Sequence, residues 1–580
     1  MKAIVRIAVT SLVGSLAFAG SKVSSDMPAA TSTGTVDIIV QYKSFAARSA
    51  ETGGHAGRIH HHFRSIPATH MTVPVSTLQA LASNPQVAYV SPNRTTVGFL
   101  DITTQTVNAN LLWHEGWDGT GVGVAVIDSG VALKRDLAAK DGSHSRVVFS
   151  KNFVPGEDAS DQYGHGTHVA GILAANGAAS SGPSFTHTFQ GVAPNSNIVN
   201  LRVLDANGKG QESDVIAAID EAIALKDQYN IRVINLSLGH PVYESFTLDP
   251  LCQAVEAAWK AGITVVVAAG NMGRDNALGT MGYATINSPG NDPYVITVGA
   301  MNANGTPWRN DDKMASYSSK GPTLLDHVVK PDLVAPGNNV VSLLASPECT
   351  LATKYPETLI SNSTYEKSGR GLSTEYFKLS GTSMATPVVS GAAALMLQED
   401  PTLTPDTIKA RLMKTATKQF ARYTAASDIH GRGSFETQED IFAVGAGYLD
   451  IQAAIANTDA VNFQALSPVA QYNPQSQTVT LVSADAIIWG ESAPNGAIIW
   501  GESAPNGAII WGESAIWSDA IIWGESVVGG NALTWGDAII WGESNLQGFA
   551  IIWGEAIIWG ESDMNGSALI WGSSANDGDR

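Results

Sequence analysis

The sequence predicts an α/β protein: a mainly parallel sheet with helices on both faces, preceded by a small α+β unit and followed by a repetitive β region. Three observations predict it. Residues 101–455 alternate apolar, β-branched runs with helical patterns, the alternation that builds a parallel sheet covered on both sides. Residues 20–100 hold short strand-like runs around one short helical pattern. Beyond residue 486 the unit Ala-Ile-Ile-Trp-Gly-Glu, intact or degenerate, recurs to residue 580, a β-branched run followed by a turn residue.

Taken in chain order, Lys2 and Arg6 precede an apolar run from Ile7 to Leu16, and Ala17-Phe18-Ala19 then fits the small-x-small rule. Residues 1–19 read as a secretory signal cut after Ala19; the run falls short of the ~18–20 apolar residues that a membrane span needs. In residues 20–100, Val36 to Tyr42, Met71 to Val75 and Val87 to Val90 read as strands, and Ser76 to Ala82 as a helix capped by Ser76. His55, His60, His61 and His62 read as a solvated loop, with a pH trigger as the competing reading. In residues 101–455 the clearest strands are Val122 to Ile127, Ile198 to Val203, Val233 to Leu238, Thr264 to Ala268 and Tyr294 to Val298. Ser213 to Gln228 and Pro250 to Ala261 are the clearest helices between them. Residues 456–485 are polar, with Pro and Gln, and read as a linker. In the repeat region, residues 486–580, ten of the fourteen tryptophans recur from Trp489 to Trp571 at spacings of 6, 11 or 12. Such rows suit either a structural ladder, the favoured reading, or a face that contacts a cell surface or polysaccharide.

Composition removes several function classes. Charged residues are 15% of the chain, and 57 of its 580 residues are Gly, so the surface must draw on small polar side chains, as secreted proteins do. The net charge of −19 repels phosphate backbones and anionic lipid, which argues against nucleic-acid binding. With Cys252 and Cys349 the only cysteines, neither a disulfide-dense scaffold nor a four-Cys zinc site can form, and one bridge stays open.

Three segments carry chemistry. Gly121 to Gly130 runs a buried strand into Asp128 at its carboxyl end, the edge where open α/β sheets place their sites; alone, Asp128 could equally cap the next turn. Gly164-His165-Gly-Thr-His168-Val-Ala-Gly171 opens a small-residue helix through Ala175, which sets His165 in the first turn. His165 and His168 do not make the i, i+4 pair of a zinc helix and no Glu stands between them, so no metal is assigned. Leu379-Ser-Gly-Thr-Ser383-Met-Ala-Thr-Pro387 precedes a helix from Val388 to Leu397, where Ser383 is either a helix cap or a nucleophile. The nucleophile needs a base, which His165 supplies if Asp128 holds its other ring nitrogen. The Ser383 backbone N–H and the Asn271 side-chain amide, just after the strand ending at Ala268, can serve a developing oxyanion.

In the order Asp, His, Asn, Ser, with Asn235-Leu-Ser-Leu-Gly239, Ala268-Ala-Gly-Asn271 and Lys330-Pro-Asp-Leu-Val-Ala-Pro-Gly337, residues 105–455 resemble the subtilisin-like serine proteases. The resemblance implies a subtilisin-like fold and a secreted serine endopeptidase with Asp128, His165 and Ser383 as triad and Asn271 as oxyanion donor. It implies that Ser237, Leu238 and Gly239 pair with an extended polypeptide substrate and that Asn287 lines the floor of the main specificity pocket. His240 departs from the Gly common at its position, and Met384 should lie beside the nucleophile. Residues 20–100 resemble the family's inhibitory prodomains, so the chain's own prodomain is an expected partner and self-cleavage the expected maturation. No cofactor is required for the chemistry. Structural calcium is left unassigned: Asp136 matches one family ligand position, where it could otherwise make a surface ion pair, and the loop 176–190 supplies few of the six to eight oxygens that Ca²⁺ takes. Two rival classes remain, a surface adhesion protein led by its repeats and a serine esterase. The esterase lacks its signature, because Ser383 sits in Gly-Thr-Ser-Met-Ala rather than Gly-x-Ser-x-Gly.

Overall fold

The structure, a computed structural model, describes residues 34–50, 57–63, 67–92, 99–275, 280–421, 423–427, 434–473 and 478–482, with short stretches at 22–23, 27, 551–552 and 556–557. The signal segment, His55 and all ten repeat tryptophans lie outside the described residues. The chain divides into two compact units, Met1–Thr96 and Val97–Arg580. Among the described residues no helix is long and apolar enough to cross a membrane.

In the first unit, strands β1 (Thr35–Tyr42), β2 (Arg58–His62), β3 (Ala68–Pro74) and β4 (Val87–Pro92) form an antiparallel sheet in the order β2-β3-β1-β4. Alternate residues Ile38, Val40, Met71 and Val73 are buried and pack with Leu78 and Leu81, so one face of the sheet is core. Two expectations change here. His60, His61 and His62 belong to β2 rather than to a loop, with His61 and His62 paired to β3, because hydrogen bonding to a neighbouring strand overrides their polar composition. Ser76 does not cap a helix: residues Val75–Thr77 form a 3₁₀ turn, and the α-helix begins at Leu78 after Thr77 without a side-chain cap.

The second unit is built on an eight-stranded sheet of β5 (Gly123–Asp128), β6 (Val147–Asn152), β7 (Asn197–Arg202), β8 (Ile231–Leu236), β9 (Thr264–Ala268), β10 (Ile296–Asn302), β11 (Lys313–Met314) and β12 (Leu333–Pro336). The path runs β11-β10-β9-β8-β5-β7-β6, with β12 beside β10, and every pairing is parallel except β10 with β11. Every residue of β5, β9 and β10 is buried, as strands covered on both faces require. Four helices supply the cover: α1 (His165–Ala174), α2 (Glu212–Ala224), α3 (Pro250–Lys260) and α4 (Thr382–Glu399). The first and last pack on one another, and so do the middle two. Pro250 opens α3 with Asp249 before it, whose carboxylate accepts from the Leu251 and Cys252 N–H groups and so satisfies a helix start.

The segment read as a linker is partly core. Ala465 and Ala470 are buried, Pro468 accepts from the Val329 N–H, and Ser467 donates to Asp332, before a hairpin of Val469–Asn473 with Thr478–Val482. Polar residues there look like linker in sequence because their partners are distant, Lys414 for Asp459 and Lys409 and Asp332 for Ser467. Cys252 and Cys349 are both buried free thiols.

Candidate active site

Asp128 ends β5 and is fully buried. Its Oδ1 accepts from the Ser129 N–H at 2.7 Å and pairs with His165 Nδ1 at 2.8 Å, while Oδ2 is buried with no partner among the described residues. That orphaned oxygen is a standing cost, of the kind that functional sites carry. The His165 side chain is 15% exposed at the start of α1. Burial pulls its pKa down, but the Asp128 carboxylate outweighs this by charge and hydrogen bond, and the net direction is up. With Nδ1 held, Nε2 is the nitrogen left for proton transfer.

The helix start is fastened by residues that the sequence reading did not single out. Asp161 accepts from the Gly164 N–H at 2.7 Å, the Thr167 N–H at 2.8 Å and Ser129 Oγ at 2.8 Å, and Ser129 Oγ in turn accepts from the Gly166 N–H at 2.9 Å. Burial pushes the Asp161 carboxyl up while these donors oppose it. The signal was present as an Asp placed three residues before Gly164, within reach of free helix N–H groups. Gly166 permits the approach: a Cβ there would lie 2.2 Å from the Gly130 carbonyl oxygen.

His168 is a core residue. Its Nε2 bonds the Val340 carbonyl at 3.0 Å, its ring meets Phe377 edge-on, and burial pulls its pKa down to about 3, so it is neutral.

Ser383 is the second residue of α4, after Gly381 and Thr382. Its Oγ donates to the Ser237 carbonyl at 3.1 Å, and Ser237 Oγ donates to the Ser383 carbonyl at 2.9 Å. The second bond follows from sequence: Pro387 has no N–H, so the carbonyl four residues earlier is without its helical donor. The structure therefore joins Asp128 to His165 and Ser383 to Ser237; Ser383 Oγ bonds the Ser237 carbonyl, and no hydrogen bond from it to His165 is among those of the described residues. As a residue at the helix start, Ser383 also presents an N–H with no acceptor among the described residues. Asn271 stands beside it. Its Oδ1 accepts from the Thr382 N–H at 2.9 Å and Thr382 Oγ1 at 3.0 Å, which leaves Nδ2 as the donor end. Met384 is buried at 1% exposure.

Ser237, Leu238 and Gly239 continue beyond β8, and the backbone groups of Leu238 and Gly239 have no partner among the described residues. His240 then pairs with Ser288 through two backbone bonds. Asn287 lies between the two segments: a Cβ on Gly239 would stand 3.3 Å from its Cβ, and one on Gly270 would stand 3.1 Å from its Cγ. Asp136 is corrected. It is fully buried rather than in a surface ion pair, and its oxygens accept from the Ala179 N–H and the Tyr376 hydroxyl, each at 2.6 Å.

The profile of the Subtilase family matches residues 119–433. The serine protease AprX of Bacillus subtilis (strain 168) is 37% identical over 391 residues, covering 65% of this chain and 80% of that protein. Subtilisin E of the same organism is 32% identical over 388 residues, covering 66% of this chain and 82% of its own length. The thermostable alkaline protease of Halalkalibacterium halodurans is 32% identical over 405 residues, covering 68% and 89%.

Proposed function

The chain belongs to the subtilase family and is a subtilisin-like serine protease acting on peptides, and on that premise we propose a secreted endopeptidase made as a self-processing precursor. The observation that carries the catalytic assignment is the 2.8 Å bond between Asp128 and His165 Nδ1 at the end of a parallel strand. Ser383 Oγ turns from the Ser237 carbonyl to His165 Nε2 as substrate enters, since catalytic hydrogen bonds often close only in the complex. Ser383 Oγ then attacks the scissile carbonyl carbon, His165 Nε2 takes the hydroxyl proton, and the Asp128 carboxylate stabilises the imidazolium. The negative oxygen is met by the Ser383 N–H and Asn271 Nδ2. His165 returns the proton to the leaving amine, and water releases the acyl group by the same route.

Substrate is held as an added strand. The unpaired backbone groups of Leu238 and Gly239 suit an extended peptide, which gives broad sequence tolerance. Asn287, set between this segment and Gly270, lines the specificity pocket. Residues 20–100 act as inhibitory prodomain, residues 1–19 direct export, and residues 101–455 with their packed extension carry the activity. For the repeats at 486–580, nearly all outside the described residues, unchanged adhesion to cells or polysaccharide on deleting 480–580 would discard the contact reading.

Ser383→Ala is expected to abolish hydrolysis of casein, labelling by a phosphonate probe and precursor self-cleavage together. Retained hydrolysis would remove the assignment.

A further inference from the structure

Three potential ligands outside the active site meet on the first unit. Asp37 on β1, His60 on β2 and His70 on β3 offer one carboxylate oxygen and two ring nitrogens, all within 4.8 Å of one another. His70 Nε2 lies 2.9 Å from Asp37 Oδ2, and His60 Nε2 lies 3.8 Å from Asp37 Oδ1. Zinc bound tetrahedrally at ~2.0–2.1 Å keeps its ligands about 3.3 Å apart, between these two separations. We propose that Asp37, His60 and His70 form a binding site for a borderline divalent metal ion, with Zn²⁺ the best match.

Strand geometry assembles the set. Asp37 faces Thr72 and Ile39 faces His70 in the β1–β3 register, so Asp37, His70 and Thr72 share the face opposite the buried Ile38, Met71 and Val73. The third ligand comes from an irregularity: the β2–β3 register shifts between Ile59 and His61, leaving His60 as an additional residue. Such a bulge re-aims a side chain, and here the His60 ring comes to 4.7 Å from the His70 ring. Thr72 Oγ1 bonds His60 Nε2 at 2.7 Å and donates to Asp37 Oδ1 at 3.0 Å, so one hydroxyl aligns two of the three ligands. With the Thr72 proton given to Asp37, His60 Nε2 is the donor to Thr72 Oγ1, so on metal entry His60 Nε2 and His70 Nε2 each release a proton to solvent and turn the freed lone pair to the ion, while Thr72 keeps its bond to Asp37 as outer-shell support. Water fills the fourth position. Because the ligands come from three strands, binding also ties the small sheet together.

Isothermal titration of Zn²⁺ into the full-length precursor, kept intact by Ser383→Ala, should resolve one equivalent that His60→Ala and His70→Ala each weaken by at least ~10-fold, the loss that even an outer-shell deletion brings. Co²⁺ in place of Zn²⁺ should give visible absorption that the same variants lose. His60 is on the edge strand, so His60→Ala with an unchanged far-UV circular dichroism spectrum carries the test if His70→Ala unfolds. Undiminished affinity in His60→Ala, no Zn²⁺ binding by the parent, or an equivalent lost only on substitution at the second His–carboxylate cluster, Glu212, His240 and Asp249, would overturn the proposal.

Discussion

Asp128 acts on His165 in two ways, by fixing which ring nitrogen carries the proton and by raising the pKa of the imidazole. Asp128→Asn keeps the shape and removes both. For a triad the expected loss in kcat is about 10⁴-fold. The pH profile gives a sharper readout: the base must be neutral, so removing the charge that lifts its pKa should move the acid limb of kcat/KM to lower pH. An unmoved limb would mean that another group sets it. Asn271 is held by its oxygen on Thr382, so Asn271→Ala removes a donor whose partner exists only when negative charge develops. Steady-state assays should show kcat lower by about 10²–10³, the range for losing one oxyanion donor in a protease of this family, with KM little changed.

At the scale of elements, the site is a meeting of one strand end and two helix starts. The α1 start is tied to β5 through Asp161 and Ser129, and α4 is tied to the segment after β8 through the reciprocal Ser237–Ser383 bonds. Pro387 makes the second tie necessary, because it leaves the Ser383 carbonyl without a helical donor. Ser237→Ala should therefore cost about 1–3 kcal/mol in a denaturant midpoint measurement on the inactive precursor. In the active enzyme it should lower kcat, since the nucleophile's turn loses its anchor. The Gly-Thr-Ser-Met-Ala-Thr-Pro run made Ser383 legible as the candidate nucleophile, but its bond to Ser237 was not, because 146 residues separate the two.

At the scale of the whole molecule, buried charge around the sheet sets how stability depends on pH. Asp332 sits between Lys330 at 2.7 Å on Oδ2 and Lys409 at 3.5 Å on Oδ1, all fully buried, and Ser467 from the extension donates to the same Oδ1 as Lys409. That explains the Lys-Pro-Asp run and the packed residues after 455 together. Asp292 is less fully compensated: burial pushes its pKa up to about 7 against the Tyr294 N–H and the charges of Lys330 and Lys409, and its Oδ2 has no partner among the described residues. With a folded pKa above the unfolded value, the folded state holds the proton longer. Between about pH 4 and 7 the unfolded state releases it first, so this group's contribution to stability falls as pH rises through that window. Asp292→Asn should flatten the fall, measured as unfolding free energy of the Ser383→Ala precursor at pH 4.5 and 7; an identical slope would clear Asp292 of the effect.

The sequence alone determined the parallel-sheet class and most strand and helix cores, and it singled out Asp128, His165, Asn271 and Ser383 as the candidates for the chemistry, because periodicity and short motifs are local properties. Only the tertiary structure decided that His60 to His62 form a strand, that Asp136 is buried between Tyr376 and Ala179, that the supposed linker packs on Asp332, and that Ser383 rests on Ser237. The last three depend on a partner far away in the chain, and burial or hydrogen bonding by a distant residue leaves no periodic mark on the residue it holds; the strand at His60 to His62 pairs with its near neighbour β3, but its polar composition hides the alternation.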